Sequence, residues 1–198
     1  MIPVAGWKLD ELARSWAEAR PFPHVILDDF VAPETLAGLL QAVSQEPHFA
    51  NRGEIYDFMA SSPEVEHPTL QAFQAALGSP ETLAAVRAIS GRAVRTVDMR
   101  SYVYLPGSYL LPHADSRASI GRLVAFAFYI YTHGCEGGEL ELFTCEMAGD
   151  EVASATAAQR IAPRDNRIVL FDVTPASLHQ VREVLAGHRV SLTGWYLG

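Results

Sequence analysis

The second half of this chain constrains its fold more than any other feature. From Ala93 onward, short β-rich runs follow one another: Arg95 to Leu105, Arg122 to Thr132, Glu139 to Thr144, Ala153 to Ala162, Arg167 to Val173, Gln180 to Leu185 and Arg189 to Leu197. Pro106-Gly107, His133-Gly134, Gly137-Gly138, Ala148-Gly149-Asp150 and Ala186-Gly187 punctuate them. Glycine and proline in such pairs favour turns over continuing strands. About seven strands at this spacing imply a β-sandwich or a double-sheet jelly roll.

The first half has a different texture. Trp7 to Arg20 sets Trp7, Leu9, Leu12, Ala13 and Trp16 at helical intervals. Pro21 to Leu27 reads as a short strand ending at the Asp28-Asp29 turn. Pro33 to Gln45 opens on proline and continues with Leu36, Leu39, Leu40 and Val43, a helix with its start marked. Pro47 to Pro63 mixes glycine, asparagine, serine and aromatics without a period. It is expected to be a loop, and long loops in compact domains are often lids. A third helical region covers roughly Thr69 to Ser90, broken near Gly78-Ser79-Pro80. The expectation is an α+β, mainly β fold in one domain. Helical support covers residues 1–92 and a jelly-roll core residues 93–198.

Composition narrows the partners. The formal net charge is −8 and no Lys/Arg cluster is present, so no nucleic-acid partner is expected. The longest apolar stretch, Leu123 to Tyr131, falls far short of a membrane span, and Met1 to Arg20 lacks the apolar centre of a signal peptide. Cys135 and Cys145 read as free thiols rather than a disulfide scaffold. Together these features point to the cytoplasm, with no membrane partner.

The chemistry is concentrated in three places. In extended backbone, residues two apart point the same way, so His113 and Asp115 of His113-Ala114-Asp115 can converge on one ion. His179 follows the strongly β run Ile168 to Phe171. Two histidines and one carboxylate on one side of a metal leave the opposite positions open, as in non-haem Fe(II) oxygenases. Each piece is weak alone, because His-x-Asp recurs by chance and a lone strand histidine is usually structural. Arg189 lies ten positions beyond His179 on the next strand, with Ser191 after it. An arginine fork there can grip a carboxylate bidentately, with the serine hydroxyl adding a bond. Alone, Arg189 would read as a surface ion pair.

In this order the residues resemble the 2-oxoglutarate/Fe(II) dioxygenase superfamily, within it the prolyl-4-hydroxylase-like branch. Pro21 to Phe30 resembles the branch's entry strand, Arg122 to Tyr131 its Arg-x-x-Thr-x-x-x-Tyr-Leu strand, and Gly137-Gly138-Glu139-Leu140 its Gly-Gly-x-Leu turn. Phe171, His179 and Val181 match the distal-histidine strand, and Arg189 to Trp195 the closing one. The resemblance implies a double-stranded β-helix of cupin type, and Fe(II), 2-oxoglutarate and O2 as cofactor and co-substrates, with succinate and CO2 released. It assigns the metal to His113, Asp115 and His179, and 2-oxoglutarate to Arg189, Tyr104, Tyr129 and Ser191. Ala125 stands where the family often has threonine, and Leu110 where many prolyl hydroxylases have tyrosine. Asp115 argues against the halogenating relatives, which carry a small residue there.

Candidate substrate-facing residues are Asn51, Arg52, Tyr56 and Phe58 in the expected lid, with Arg100, Tyr102, Tyr131 and Trp195. Core packing is the competing reading for each aromatic. The expected substrate is a small molecule, a free amino acid or a peptidyl, including prolyl, group. Two other classes stay open: a cupin-type metalloenzyme that does not use 2-oxoglutarate, and a non-catalytic metal- or ligand-binding module on the same fold.

Overall fold

The computed structural model describes residues 2–116 and 120–198. Among them, a 3-10 turn (Val4–Gly6) leads into α1 (Leu9–Glu18) and β1 (His24–Leu27). α2 (Pro33–Gln45), β2 (Phe49–Gly53), β3 (Tyr56–Ala60), α3 (Pro68–Leu77) and α4 (Pro80–Ser90) follow. The β-rich half holds β4 (Thr96–Tyr104), β5 (Tyr109–His113), β6 (Arg122–Tyr131), β7 (Glu136–Gly137), β8 (Leu140–Ala148) and β9 (Glu151–Ile161). It closes with β10 (Arg167–Asp172), β11 (His179–Val181), β12 (Val184–Ala186) and β13 (Arg189–Leu197).

Eleven strands form one hydrogen-bonded strip in the order β1-β10-β6-β13-β4-β3-β5-β11-β8-β9, with β2 paired to β3. The strip curls on itself. The side chains of β6, β10 and β13 that meet those of β8 and β9 form one apolar cluster, including Ala125, Ala127, Tyr129, Leu140, Leu142, Ile161, Val169 and Phe171. The opposite face of the same strands presents Val124, Phe126, Phe128, Ile130, Ile168, Leu170, Leu192 and Tyr196 to the helices. This period-2 division is what a sheet covered on both faces requires.

The helices start and stop where local chemistry dictates. Proline occupies the first turn of α2, α3 and α4, where its missing N–H costs nothing. Ser79 caps α4 by accepting the Thr82 N–H at 3.2 Å, which explains the break expected at residues 78–80. Gly91 ends α4 in the left-handed region, at φ +68°.

One expectation is corrected. Residues 47–63 are not a loop: they form the β2–β3 hairpin, in register from Phe49–Ala60 to Gly53–Tyr56. β3 then joins the two halves of the strip, pairing β4 at Met59–Val103 and β5 at Tyr56–Leu110. The segment shows no alternation because most of its side chains are exposed or only half-buried, so it is strand by virtue of distant partners. No helix among the described residues is long and apolar enough to cross a membrane.

Candidate metal and dicarboxylate site

The strip folds so that β5 and β11 run side by side, with His113 directly opposite His179. Their rings lie 4.3 Å apart between centroids. Asp115 follows just past the end of β5, and its Oδ1 and Oδ2 lie 3.8 Å from His113 Nε2 and 3.6 Å from His179 Nε2. One ligand atom from each residue falls within 4.8 Å of the others, close enough for a single ion.

Both histidines are oriented for ligation through Nε2. His113 Nδ1 lies 2.9 Å from the Leu111 carbonyl and His179 Nδ1 3.0 Å from that of Ser177. A carbonyl can only accept, so Nδ1–H donates and the Nε2 lone pair is left free. Burial, followed by the neighbouring His113, pulls the His179 pKa down to about 4, against the opposing pull of Asp115. His179 is therefore neutral at pH 7, the state a ligand needs.

Deeper in, β13 turns Arg189, Ser191, Thr193 and Trp195 toward the interior. Arg189 is 2% exposed, and its guanidinium carbon sits 4.7 Å from the Tyr104 ring centroid and 4.9 Å from that of Tyr129. Its Nε and the Tyr129 hydroxyl are buried without a hydrogen-bond partner among the described residues. Burial raises the Tyr104 hydroxyl pKa, so the phenol stays protonated and can donate. Gly138, at φ +69°, permits the close packing here, since a Cβ would come within 3.2 Å of Arg189 Cδ.

A cavity of about 190 Å³ joins the two places. Its walls are Phe58, Tyr102, Leu110, Leu140, Phe171 and Val181, with the small side chains of Ala125 and Ala127 leaving the room. Tyr104, His113, Asp115, His179, Arg189 and Trp195 all line it. Ser191 lies on the same strand face, fully buried, and accepts from the Thr193 hydroxyl at 3.4 Å.

The structure does not bring every candidate here. Asn51 donates to the Phe49 carbonyl at 2.8 Å, and Arg52 pairs with Asp57 at 3.3 Å, both on the hairpin. Arg100 holds the Ser61 carbonyl through two guanidinium nitrogens. Tyr131 packs against the helical core and Tyr56 against Phe58, neither lining the cavity. Arg122 does line it, although the sequence reading placed it only at the head of a strand and gave it no role in the site. Simple alternation places Arg122 with Val124 on the helix face. A register shift between β6 and β13 at Tyr196/Leu197 reverses the strand there.

The family model for the 2OG-Fe(II) oxygenase superfamily matches residues 99–197. A mouse protein described as prolyl 3-hydroxylase OGFOD1 is 27% identical over 186 residues, covering 90% of this chain and 33% of its own. The chain spans a third or less of the length of the curated relatives it matches. A Pseudomonas putida prolyl-4-hydroxylase structure superposes with a TM-score of 0.71 at 18% identity, covering 96% of this chain and 98% of that one. A Trichoplax adhaerens prolyl hydroxylase, solved with a hypoxia-inducible-factor peptide fragment, gives 0.69 at 16% identity, covering 96% and 88%.

Proposed function

Because this chain belongs to the 2OG-Fe(II) oxygenase superfamily, we propose that it is a dioxygenase that hydroxylates an unactivated C–H bond of a peptidyl, prolyl-type substrate. Bound Fe(II) with 2-oxoglutarate and O2 supplies the oxidising power, turning the oxoacid into succinate and CO2 while one oxygen atom goes to the substrate. His113, Asp115 and His179 would hold the iron, and Arg189 with the Tyr104 and Tyr129 hydroxyls would hold the far carboxylate.

The observation that carries the reading is the buried, incompletely partnered Arg189 beside an orphaned Tyr129 hydroxyl. A guanidinium out of water is costly without an anion, and a phenol out of water without an acceptor adds to that cost. A dicarboxylate satisfies both. Its other end would then lie toward the two-histidine, one-carboxylate cluster across the same cavity. Leu140, Phe171 and Val181 give the cavity apolar walls that disfavour water. Two lines support the substrate class: the description of the mouse relative as a prolyl hydroxylase, and the aromatic side chains of Phe58, Tyr102 and Trp195 in the cavity lining, which suit a compact, weakly polar ring.

The test is an anaerobic Fe(II) titration with and without 2-oxoglutarate, read by visible absorbance. A charge-transfer band that needs both components, and is lost in His179→Ala and Arg189→Met, is the expected result. Iron binding without the band would favour a cupin-type enzyme that does not use 2-oxoglutarate. No iron binding would leave a binding module.

A further inference from the structure

We infer that Trp195 is a positioning residue for Asp115, fixing it as a single-oxygen ligand. The inference rests on the metal assignment above.

The three metal-directed residues are not equally well held. His113 and His179 stand on strands that pair with each other, and each is tied through Nδ1 to its own backbone. Asp115 lies outside the paired residues of β5, so the sheet does not define where its carboxylate points. The hydrogen bond that does so comes from the far side of the cavity: Trp195 Nε1–H donates to Asp115 Oδ2 at 2.8 Å. That occupies one carboxylate oxygen and leaves Oδ1 with its lone pairs toward His113.

Trp195 is itself firmly placed. β13 pairs on both sides, Trp195 facing Asp98 on β4 and Ala125 on β6. Its backbone N–H donates to Asp98 Oδ1 at 2.8 Å. The Arg122 guanidinium stacks 3.4 Å from the indole ring centre and approaches Asp115 Oδ1 at 3.6 Å. The small side chain of Ala125, cross-strand from Trp195, leaves the space that the indole fills. Gly194 is required beside it, because a Cβ would stand 2.0 Å from the Asp98 carbonyl oxygen. A loop-borne ligand is thus aimed by a strand paired along both of its edges.

The experiment compares wild type, Trp195→Phe and Asp115→Ala, all without substrate. Fe(II) affinity is measured by competition with a chelator, and ligand geometry by the visible spectrum of the Co(II) form. Trp195→Phe keeps an aromatic face for Arg122 and loses the N–H together with part of the indole's volume. Its Fe(II) affinity is expected to fall by about 10- to 100-fold, the scale for outer-shell partners of metal ligands. A changed Co(II) spectrum should accompany it at an unchanged melting temperature. Unchanged affinity and spectrum, with Asp115→Ala losing metal, would overturn the positioning role and leave the metal assignment standing. If wild type bound no metal, the assignment beneath the inference would fail instead. Should Trp195→Phe lose the fold, Trp195→His retains a ring N–H and is expected to restore more affinity than Trp195→Leu. Equal affinities in those two variants would also overturn the role.

Discussion

The two faces of β6 do opposite things with the same backbone. Toward the helices it presents Val124, Phe126, Phe128 and Ile130, and this face is packed solid: Phe128 is fully buried between Phe30 at 5.1 Å and Phe73 at 5.7 Å. Toward the curled interior it presents Ala125, Ala127 and Tyr129, and this face is left open beside an incompletely partnered arginine. Stability comes from volume supplied on one side, and the site from volume withheld on the other.

That division can be broken by mutation. Phe128→Ala removes a buried ring from the packed face and should cost about 3–5 kcal/mol. Chemical denaturation measures it, and a loss under about 1 kcal/mol would mean the helical face is not the main core. An intermediate effect is expected from acid on the metal-free protein. His179 titrates near 4 when folded and near 6.5 when unfolded, so between these values the unfolded chain binds more protons. Its contribution is fully present above pH 6.5 and is lost as pH falls toward 4, up to about 3 kcal/mol. His179→Gln should flatten the stability–pH curve in that window. The smallest effect is expected from Ala127→Leu, which fills space already empty. It should change stability by no more than about 1 kcal/mol while abolishing 2-oxoglutarate binding by calorimetry. A destabilisation matching that of Phe128→Ala would show the inner face to be packed like the outer one.

The same contrast explains what could be read from the sequence. Regular periods were legible: α2 spans the expected Pro33 to Gln45, and the last strand Arg189 to Leu197. The His-x-Asp pair, His179 and Arg189 could be found because their residue types stand in a telling order along the chain, and the fold brings them to one cavity. What stayed hidden depended on long-range pairing. The β2–β3 hairpin has no period of its own and becomes strand by bridging β4 and β5. Arg122 reaches the cavity through a register shift that no local pattern records. Asn51, Arg52 and Arg100 have charges and amides suited to a substrate, but partners nearby already hold them.

The position of Asp115 has a consequence for what a single substitution can change. It supplies a candidate ligand from outside the ladder, so a small residue in its place would remove one donor and leave the strand pairing of the described residues as before. The ligand set of such a scaffold is therefore separable from its strand pairing, and one substitution can alter the first while sparing the second.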